Sequence, residues 1–506
     1  MYYLVKKPSL LKNTIQKLAL TYQIIRKPIR KKTITYFDTF DWRLFKKHLT
    51  FQQENDAAYL FSLKNQKMLG VSKISPLRTV YHWWEMPAGK LQKQLAAIID
   101  IRVLLPIISC DFRIRAYEIL NEDGKIITRL LVNSPTIHWQ NKIKRLPRFL
   151  EVEAIRGYGA EFHIMKKIIE EQGFIPTERP FLFEIFHAAQ IEPGSYSSRI
   201  AIQLEPTMSA HLAVKKICRQ LLTNIQLNLP GIINDWDSEF LHDFRVAIRR
   251  TRSILAQMKM VFPIKRLSYF RQKLGEVQKT TNHLRDLDVY LLRKRNYCTI
   301  LPPYLRDGLD VLFQEITAER EKEYERIKSF LSEPLNLDIL KEWESYLQQE
   351  NLPRRRNSQR PILPFSKKVI RRRLEKVLVK GGRLLKKQPG QEELHKLRIQ
   401  CKKLRYLLEF FSSLYPEKKI AVLVEPLRFL QDLLGEINDF SIQMRDLEKR
   451  FEQYQAQPEQ RMPLAAIGGL LTYFFQRQRA LKQQFQETFQ QFSRAEVMTV
   501  AKELFY

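Results

Sequence analysis

Two stretches of this chain repeat one pattern of ionisable side chains. Residues 241–253 read LHDFRVAIRRTRS and residues 394–406 read LHKLRIQCKKLRY. His242, Arg245, Arg249, Arg250 and Arg252 fall on His395, Arg398, Lys402, Lys403 and Arg405, each 153 residues later. Wound as helices at roughly 100° per residue, both stretches form a stripe: His242, Arg245, Arg249 and Arg252 in one, His395, Arg398, Lys402 and Arg405 in the other. Beside each stripe runs an apolar edge, Leu241, Phe244, Ile248 and Leu255 or Leu394, Leu397, Cys401 and Leu408, while Arg250 and Lys403 lie farther round. A solvated helix face mixes signs so that i,i+4 pairs form. These stripes are almost wholly positive and repel themselves. Guanidinium forks match phosphate oxygens, and ammonium groups add flexible point charge. The expected chemistry is the holding of an extended polyanion along two helices, sensitive to salt because counterions are released.

The same offset continues on both sides of the stripes. Arg219 falls on Arg372 upstream, both expected among the polyanion-binding residues, and LRDLDV (284–289) falls on INDFSI (437–442) downstream, placing Asp286 on Asp439. One unbroken register over this span indicates an internal duplication, and two such halves packed about a pseudo-twofold would turn their stripes towards a shared groove. The leading histidines suit either phosphate contact or a structural hydrogen bond. Asp286, Asp439 and Arg285 are read as supporting positions that orient neighbouring side chains or cap a helix. One His and one Asp per half is too thin for a metal centre, so neither a metal nor another cofactor is expected.

Positioning such residues takes a large scaffold. The 506 residues, 44% hydrophobic and 11% aromatic, are enough for two or three cored domains. The net charge is +32. It is spread along the chain: residues 1–200 hold 32 Lys/Arg against 18 Asp/Glu (+14), which leaves 54 against 36 (+18) for residues 201–506. Nucleic acid, an acidic membrane surface and polyphosphate all fit that balance. The longest apolar run, AAIIDIRVLLPIIS, is broken by Asp100 and Arg102, so no membrane span is expected. The N-terminus lacks the layout of a secretion signal, and the four scattered cysteines suit a reducing cytoplasm.

Residues 1–190 alternate strand-like runs (TITYFDTF, AAYLFSL, RIRAYEIL, KIITRLLV, RFLEVEAI) with a hairpin turn at NEDGK (121–125) and an amphipathic helix over 160–174 closed by Gly173. Pro, Gly and Ser cluster at 191–206, read as a linker. From 207 to 506 the apolar spacing is helical, divided by the basic, proline-bearing linker 351–364 into halves 207–350 and 365–506.

The duplicated segments, with LRDLDVYL and LQDLLGEINDF, resemble the two halves of a CHAD domain, the conserved-histidine α-helical domain. The resemblance implies a pair of helical bundles related by a pseudo-twofold, which bind inorganic polyphosphate and associate with polyphosphate granules. It puts His242, Arg245, Arg249, Arg250, Arg252, His395, Arg398, Lys402, Lys403 and Arg405 in the binding surface. It implies no catalysis by this part. More faintly, TYFDTFDWRLFKKHLTF (35–51) and FLEVEAIRGYGAEF (149–162) are similar to a CYTH domain, the triphosphate tunnel fold, which implies an antiparallel β-barrel before the helices. That family opens on an ExExK strand whose glutamates hold divalent metals. Here the corresponding YYLVK has Tyr2 and Leu4 at the glutamate positions, with Lys6 matching and Glu151 and Glu153 left on a later strand. The expectation is a cytoplasmic, non-catalytic polyphosphate binder with a degenerate barrel. The alternatives are a metal-dependent triphosphatase or polyphosphatase in that barrel and a nonspecific nucleic-acid binder. Against the last, the stripes carry few aromatics for base stacking, and no zinc-finger, RNA-binding aromatic or P-loop motif is present.

Overall fold

Period-two alternation lays the first 200 residues out as strands. The computed structural model describes residues 2–5, 7–74, 80–139, 142–200, 202–259, 261–349, 358–386, 389–455, 457 and 461–506. It divides into two units, Met1–Ser197 and Ser198–Tyr506. The first contains the strands β1 (Tyr2–Leu4), β2 (Gln23–Arg26), β3 (Arg30–Asp38), β4 (Leu49–Glu54), β5 (Ala57–Ser62) and β6 (Met68–Lys73). These are followed by β7 (Leu105–Leu120), β8 (Ile126–Trp139), β9 (Lys142–Arg145), β10 (Phe149–Ala154) and β11 (Pro176–Thr177). Its helices are α1 (Pro8–Leu18), α2 (Arg43–Lys46), α3 (Lys90–Ile99), α4 (Gly159–Glu171) and α5 (Leu182–Ala189). All of the sequence-predicted strands and the 160–174 helix are present. The 121–125 turn is held by Asn121 Oδ1, which accepts from Lys125 N at 2.8 Å, with Gly124 at φ 73°.

The strands form one antiparallel sheet in the order β11-β1-β10-β8-β7-β3-β4-β5-β6, with β2 also on β7 and β9 also on β8. The expected barrel is not formed: among the described residues the path is open, and β11 and β6 do not pair. A helix does the work that closure would do. Leu182, Ile185, Phe186 and Ala189 of α5 pack among Tyr2, Tyr36, Phe112 and Phe149 of the sheet. Phe181, just before α5, lies 4.2 Å from Phe149 between ring centroids. The apolar lining is thereby removed from water without a seam of strand hydrogen bonds. The other face packs on α1 and α4 through Tyr3, Leu11, Leu18, Leu150, Met165 and Ile169. Lys6, the one residue matching the ExExK strand, lies outside the described residues.

The second unit is helical. Its first half runs α6 (Ala210–Ile233), α7 (Ser238–Gln257), α8 (Ile264–Thr280), α9 (Asn282–Ile300), α10 (Arg306–Ser332) and α11 (Asp338–Gln348). Its second half runs α12 (Ile362–Leu384), α13 (Gln391–Phe410), α14 (Glu417–Gln455), α15 (Arg461–Phe492) and α16 (Ala495–Phe505). Adding 153 to the bounds of α7 (238 and 257) gives 391 and 410, the bounds of α13. The same shift carries α8 and α9 onto the single helix α14, and α6 onto α12 within two residues. Duplication therefore holds at the level of helix boundaries. Of the predicted linker 351–364, residues 351–357 lie outside the described ones, and α12 begins at Ile362.

The two halves share a core. Leu287, Tyr290 and Tyr297 of α9 and Leu309, Phe313 and Ile316 of α10 pack with Leu447 of α14 and Ile467, Leu470 and Phe474 of α15. Helix starts follow local chemistry: Ser209 Oγ accepts from Leu212 N ahead of α6, and Asp237 Oδ1 accepts from Glu239 N ahead of α7. Among the described residues no helix is long and apolar enough to cross a membrane.

Candidate functional site: a cationic seam between two equivalent helices

Helices α7 and α13 pack side by side. Arg250 donates from Nη2 to Glu409 Oε2 at 2.8 Å and lies 5.8 Å from the centroid of the Tyr406 ring. Gln257 donates to the Lys403 carbonyl at 3.2 Å. This contact uses the positions lying farther round each helix, so the two basic stripes come alongside one another. Arg249 of α7 is close enough to Arg398 and Lys402 of α13 that its charge lowers the pKa of both. Burial is the largest cause of the Lys402 shift, followed by Arg398 and Arg249, and together they bring that ammonium down to about 8. Among the described residues no hydrogen bond or ion pair engages the Arg249 or Lys402 side chain. The buried Nε atoms of Arg249 and Arg398 have no acceptor. Three like charges are thus brought together with one carboxylate, Asp439, beside Arg398 at 3.6 Å, an arrangement whose repulsion an anion would relieve.

The other predicted cations divide between fold and surface. Arg245 is 7% exposed and is used inside the protein: Nη1 donates to the Gln278 carbonyl at 2.9 Å and to Thr281 Oγ1 at 2.8 Å, and Nη2 to Asn282 Oδ1 at 2.8 Å. Burial, then Arg249, lowers its pKa to about 10. Arg250 is likewise committed, to Glu409 and the Ser198 carbonyl. Arg252 donates to Gln278 Oε1 at 2.9 Å, and its counterpart Arg405 to Gln431 Oε1 at 3.4 Å. These two glutamines are themselves 153 apart, so the pairing is duplicated with the stripe. Arg405 also pairs with Glu409 at 2.7 Å. Arg219 and Arg372 are exposed on α6 and α12.

A break in one repeat explains why Arg245 and Arg398 behave differently. Between α8 and α9 the chain is interrupted at Thr281, freeing the Gln278 carbonyl, which Arg245 takes. In the second half α14 runs straight through, with Leu434 at the matching position, and that carbonyl stays within the helix. Arg398 therefore turns to Asp439, 3.6 Å away, and keeps its place in the seam.

The histidines are oriented by equivalent residues with opposite chemistry. Arg285 donates to Nδ1 of His242 at 2.9 Å, and Nδ1 of His395 meets Asn438 Oδ1 at 2.6 Å. Positions 285 and 438 are again 153 apart. A guanidinium only donates, so His242 Nδ1 accepts and the ring proton sits on Nε2; beside an amide oxygen, His395 carries its proton on Nδ1. Arg285 is thus the supporting residue for His242, bonded also to the Ser238 carbonyl at 3.0 Å and Glu239 at 3.4 Å. Asp439 supports Arg398 and also faces Arg293 at 3.6 Å. Asp286 makes no such pair; its carboxyl is raised by enclosure more than Arg245 lowers it. Glu239, His242 and Asp243 have ligand atoms within 4.8 Å of one another. Arg285 engages two of the three, Glu239 at 3.4 Å and His242 at 2.9 Å, and its positive charge opposes a cation there.

Sequence reasoning missed a second cationic group. The charges lowering the Lys403 pKa, after burial, are Arg373, Arg271, Lys376 and Lys380. Shifting these positions by 153 lands on Gln220, Val424, Thr223 and Leu227, so the repeat gave no signal. Only the density of Lys and Arg on α12 hinted at them.

In the first unit, a cavity of about 220 Å³ opens on the face of the sheet that packs against α5. Its walls include Tyr36, Phe61, Phe112 and Phe149, with Lys32 and Glu151 as its charged members. Asn133 donates to Glu151 Oε2 at 3.2 Å, and burial raises the Glu151 carboxyl. Glu153 instead faces Arg129 at 3.6 Å and does not line the cavity. The two glutamates are not assembled into one metal site.

Residues 216–448 match the family described as CHAD domain. Among solved structures, the chain is similar to the CHAD domain from the plant Ricinus communis, at 22% identity and a TM-score of 0.49, over 58% of this chain and 95% of that one. It is also similar to PptA from Streptomyces chartreusis, at 14% identity and a TM-score of 0.45, over 56% of this chain and 99% of that one. No curated protein matches the sequence.

Proposed function

We propose that the CHAD domain carried by residues 216–448 is a non-catalytic binding surface for inorganic polyphosphate, and that the protein associates with polyphosphate granules. The observation that carries this reading is the seam of Arg249, Arg398 and Lys402. Three cations are pressed together at the α7–α13 junction, and Lys402 is driven down to about 8 by burial and its neighbours. An unbranched chain of phosphates, each bearing negative charge, can run along the seam and relieve the repulsion at every step. Arg405, held by Gln431 and Glu409, extends the track along α13.

A pseudo-twofold relation between the halves belongs to the same proposal. Arg249 and Lys402 are counterparts in the repeat and are neighbours in space. Tyr290 and Gln443 are also counterparts (290 + 153 = 443), and the tyrosine hydroxyl donates to the glutamine carbonyl at 3.2 Å. Residues meeting their own counterparts are what a local two-fold produces near its axis. The N-terminal sheet is read as a degenerate, open relative of the triphosphate tunnel fold. Among the described residues Lys32 is the sole lysine or arginine lining its cavity, and it shares its charge with Glu54 at 3.4 Å.

The test is a titration of the full chain with long-chain polyphosphate across salt, with single-stranded DNA and RNA as competitors. Binding is expected to outlast nucleic acid at equal phosphate concentration. The triple variant Arg249→Gln, Arg398→Gln, Lys402→Gln is expected to lower the slope of log affinity against log salt by about 2, at roughly 0.7 per phosphate contact on a single strand. Displacement by nucleic acid at equal phosphate would overturn the reading. So would a folded triple variant with unchanged affinity.

A further inference from the structure

The outer surface of the N-terminal sheet carries a second cationic groove that neither the duplication nor the tunnel resemblance predicts. β8 changes partners along its length. Residues 128–133 pair with β10, while residues 136–139 pair with β9. Between these registers the chain from β9 to β10 passes through Leu146, Pro147 and Arg148, with Leu146 N donating to the Pro135 carbonyl at 3.0 Å. Along this crossing lies a groove of about 550 Å³ whose charged lining, among the described residues, is Arg113, Arg115, Arg145 and Arg148, with no carboxylate.

Strand register sets the arginines on one face. Arg113 stands opposite Ser134 on β8 and opposite Lys31 on β3, Arg115 opposite Val132, and Arg145 opposite Thr136. Directly opposed residues project to the same side of a sheet, so the guanidinium groups surround a floor that offers the hydroxyls of Ser134 and Thr136. Among the described residues these four side chains make no ion pair and no hydrogen bond. The carboxylate on the same face of β7, Asp111, is already held by Thr33 Oγ1 at 2.6 Å and His138 Nε2 at 2.9 Å. Elsewhere in this unit basic side chains do find acids: Arg129 pairs with Glu118 at 3.1 Å and Lys32 with Glu54 at 3.4 Å. Among the described residues other lysines and arginines of the unit also lack an ion pair, but in the groove four unpaired guanidinium groups line one cavity.

We infer that this groove is a second binding surface for a phosphate chain, on the N-terminal unit and built from sheet arginines. Four guanidinium forks around a hydroxyl floor match closely spaced phosphate oxygens better than isolated carboxylates, which would leave most of the donors unused. The proposal extends the reading of the helical seam to a second site for the same polyanion, and its residues are separate from those of the seam.

Arginine modification with phenylglyoxal, read residue by residue by mass spectrometry on the full chain, separates the two sites. The probes are long-chain polyphosphate, tripolyphosphate and a single-stranded RNA at equal phosphate concentration. Either polyphosphate probe is expected to protect Arg113, Arg145 and Arg148 at least fivefold more than RNA does. The variant Arg113→Gln, Arg145→Gln, Arg148→Gln is expected to lose one class of polyphosphate binding while Arg249 and Arg398 stay protected. Protection of the seam alone would overturn the groove and leave the seam intact. Protection of the groove alone would support it and overturn the seam. Equal or stronger protection by RNA would overturn polyphosphate as the occupant.

Discussion

Lys402 provides the sharpest test of the seam, because its charge is poised within a range that solution can reach. In the free protein its pKa is about 8, so it is roughly nine-tenths protonated at pH 7 and one-tenth protonated at pH 9. A phosphate chain lying over the seam favours the charged form and raises the pKa towards its ordinary value of 10.5. Binding then takes up close to one proton at pH 9 and almost none at pH 7. The sign follows directly: affinity is greatest below pH 8 and falls about tenfold between pH 7 and pH 9, or about 1.4 kcal/mol. Long chains are the right ligand, since their internal phosphates do not titrate over this interval. The assay is calorimetric titration at fixed ionic strength at pH 7, 8 and 9, in buffers of differing ionisation enthalpy so that proton uptake is read directly. Lys402→Arg, which stays charged throughout, should hold its affinity from pH 7 to pH 9. Lys402→Gln should bind more weakly at pH 7 and show no slope. A wild-type affinity independent of pH, or a Lys402→Arg variant with the same tenfold fall, would refute the idea that Lys402 touches the phosphate chain.

Two further outcomes follow from the packing. Glu409→Ala removes the carboxylate that holds Arg250, whose side chain is 9% exposed, and stranding that charge should cost about 3 kcal/mol in chemical denaturation; a loss below 1 kcal/mol would mean that water or Tyr406 replaces the pair. Gly381 on α12 lets Phe489 of α15 approach so closely that an added Cβ would lie 1.8 Å from the ring, so Gly381→Ala should destabilise by about 2 kcal/mol or more, and an unchanged melting temperature would show that the helices can separate at no cost.

Much of the site was legible because duplication leaves a one-dimensional trace. A constant offset of 153 picks out the two stripes, and helical winding places their apolar edges in the core without coordinates. Five strands of the N-terminal unit (β3, β5, β7, β8 and β10) and helix α4 follow in the same way from alternation and turn residues, since these are local preferences of the chain; the shorter strands and the other helices did not stand out. What the sequence could not supply is which cations remain unpaired, because pairing is decided by neighbours far away in the chain. Arg245 and Arg398 are the same residue at equivalent positions. One is consumed by a carbonyl that a helix break at Thr281 exposes; the other, facing an unbroken α14, meets Asp439 at 3.6 Å and stays beside Arg249 and Lys402. Arg250 is absorbed by Glu409, some 160 residues on, whereas Arg249, one residue earlier, is not absorbed at all. Closure of the sheet was settled the same way. Five strands were legible one by one, but whether the sheet edges meet depends on distant packing, and the sheet stays open with α5 packed on it. Local sequence determined the elements and their faces; only the tertiary structure decided which charges were neutralised and which were left for a ligand.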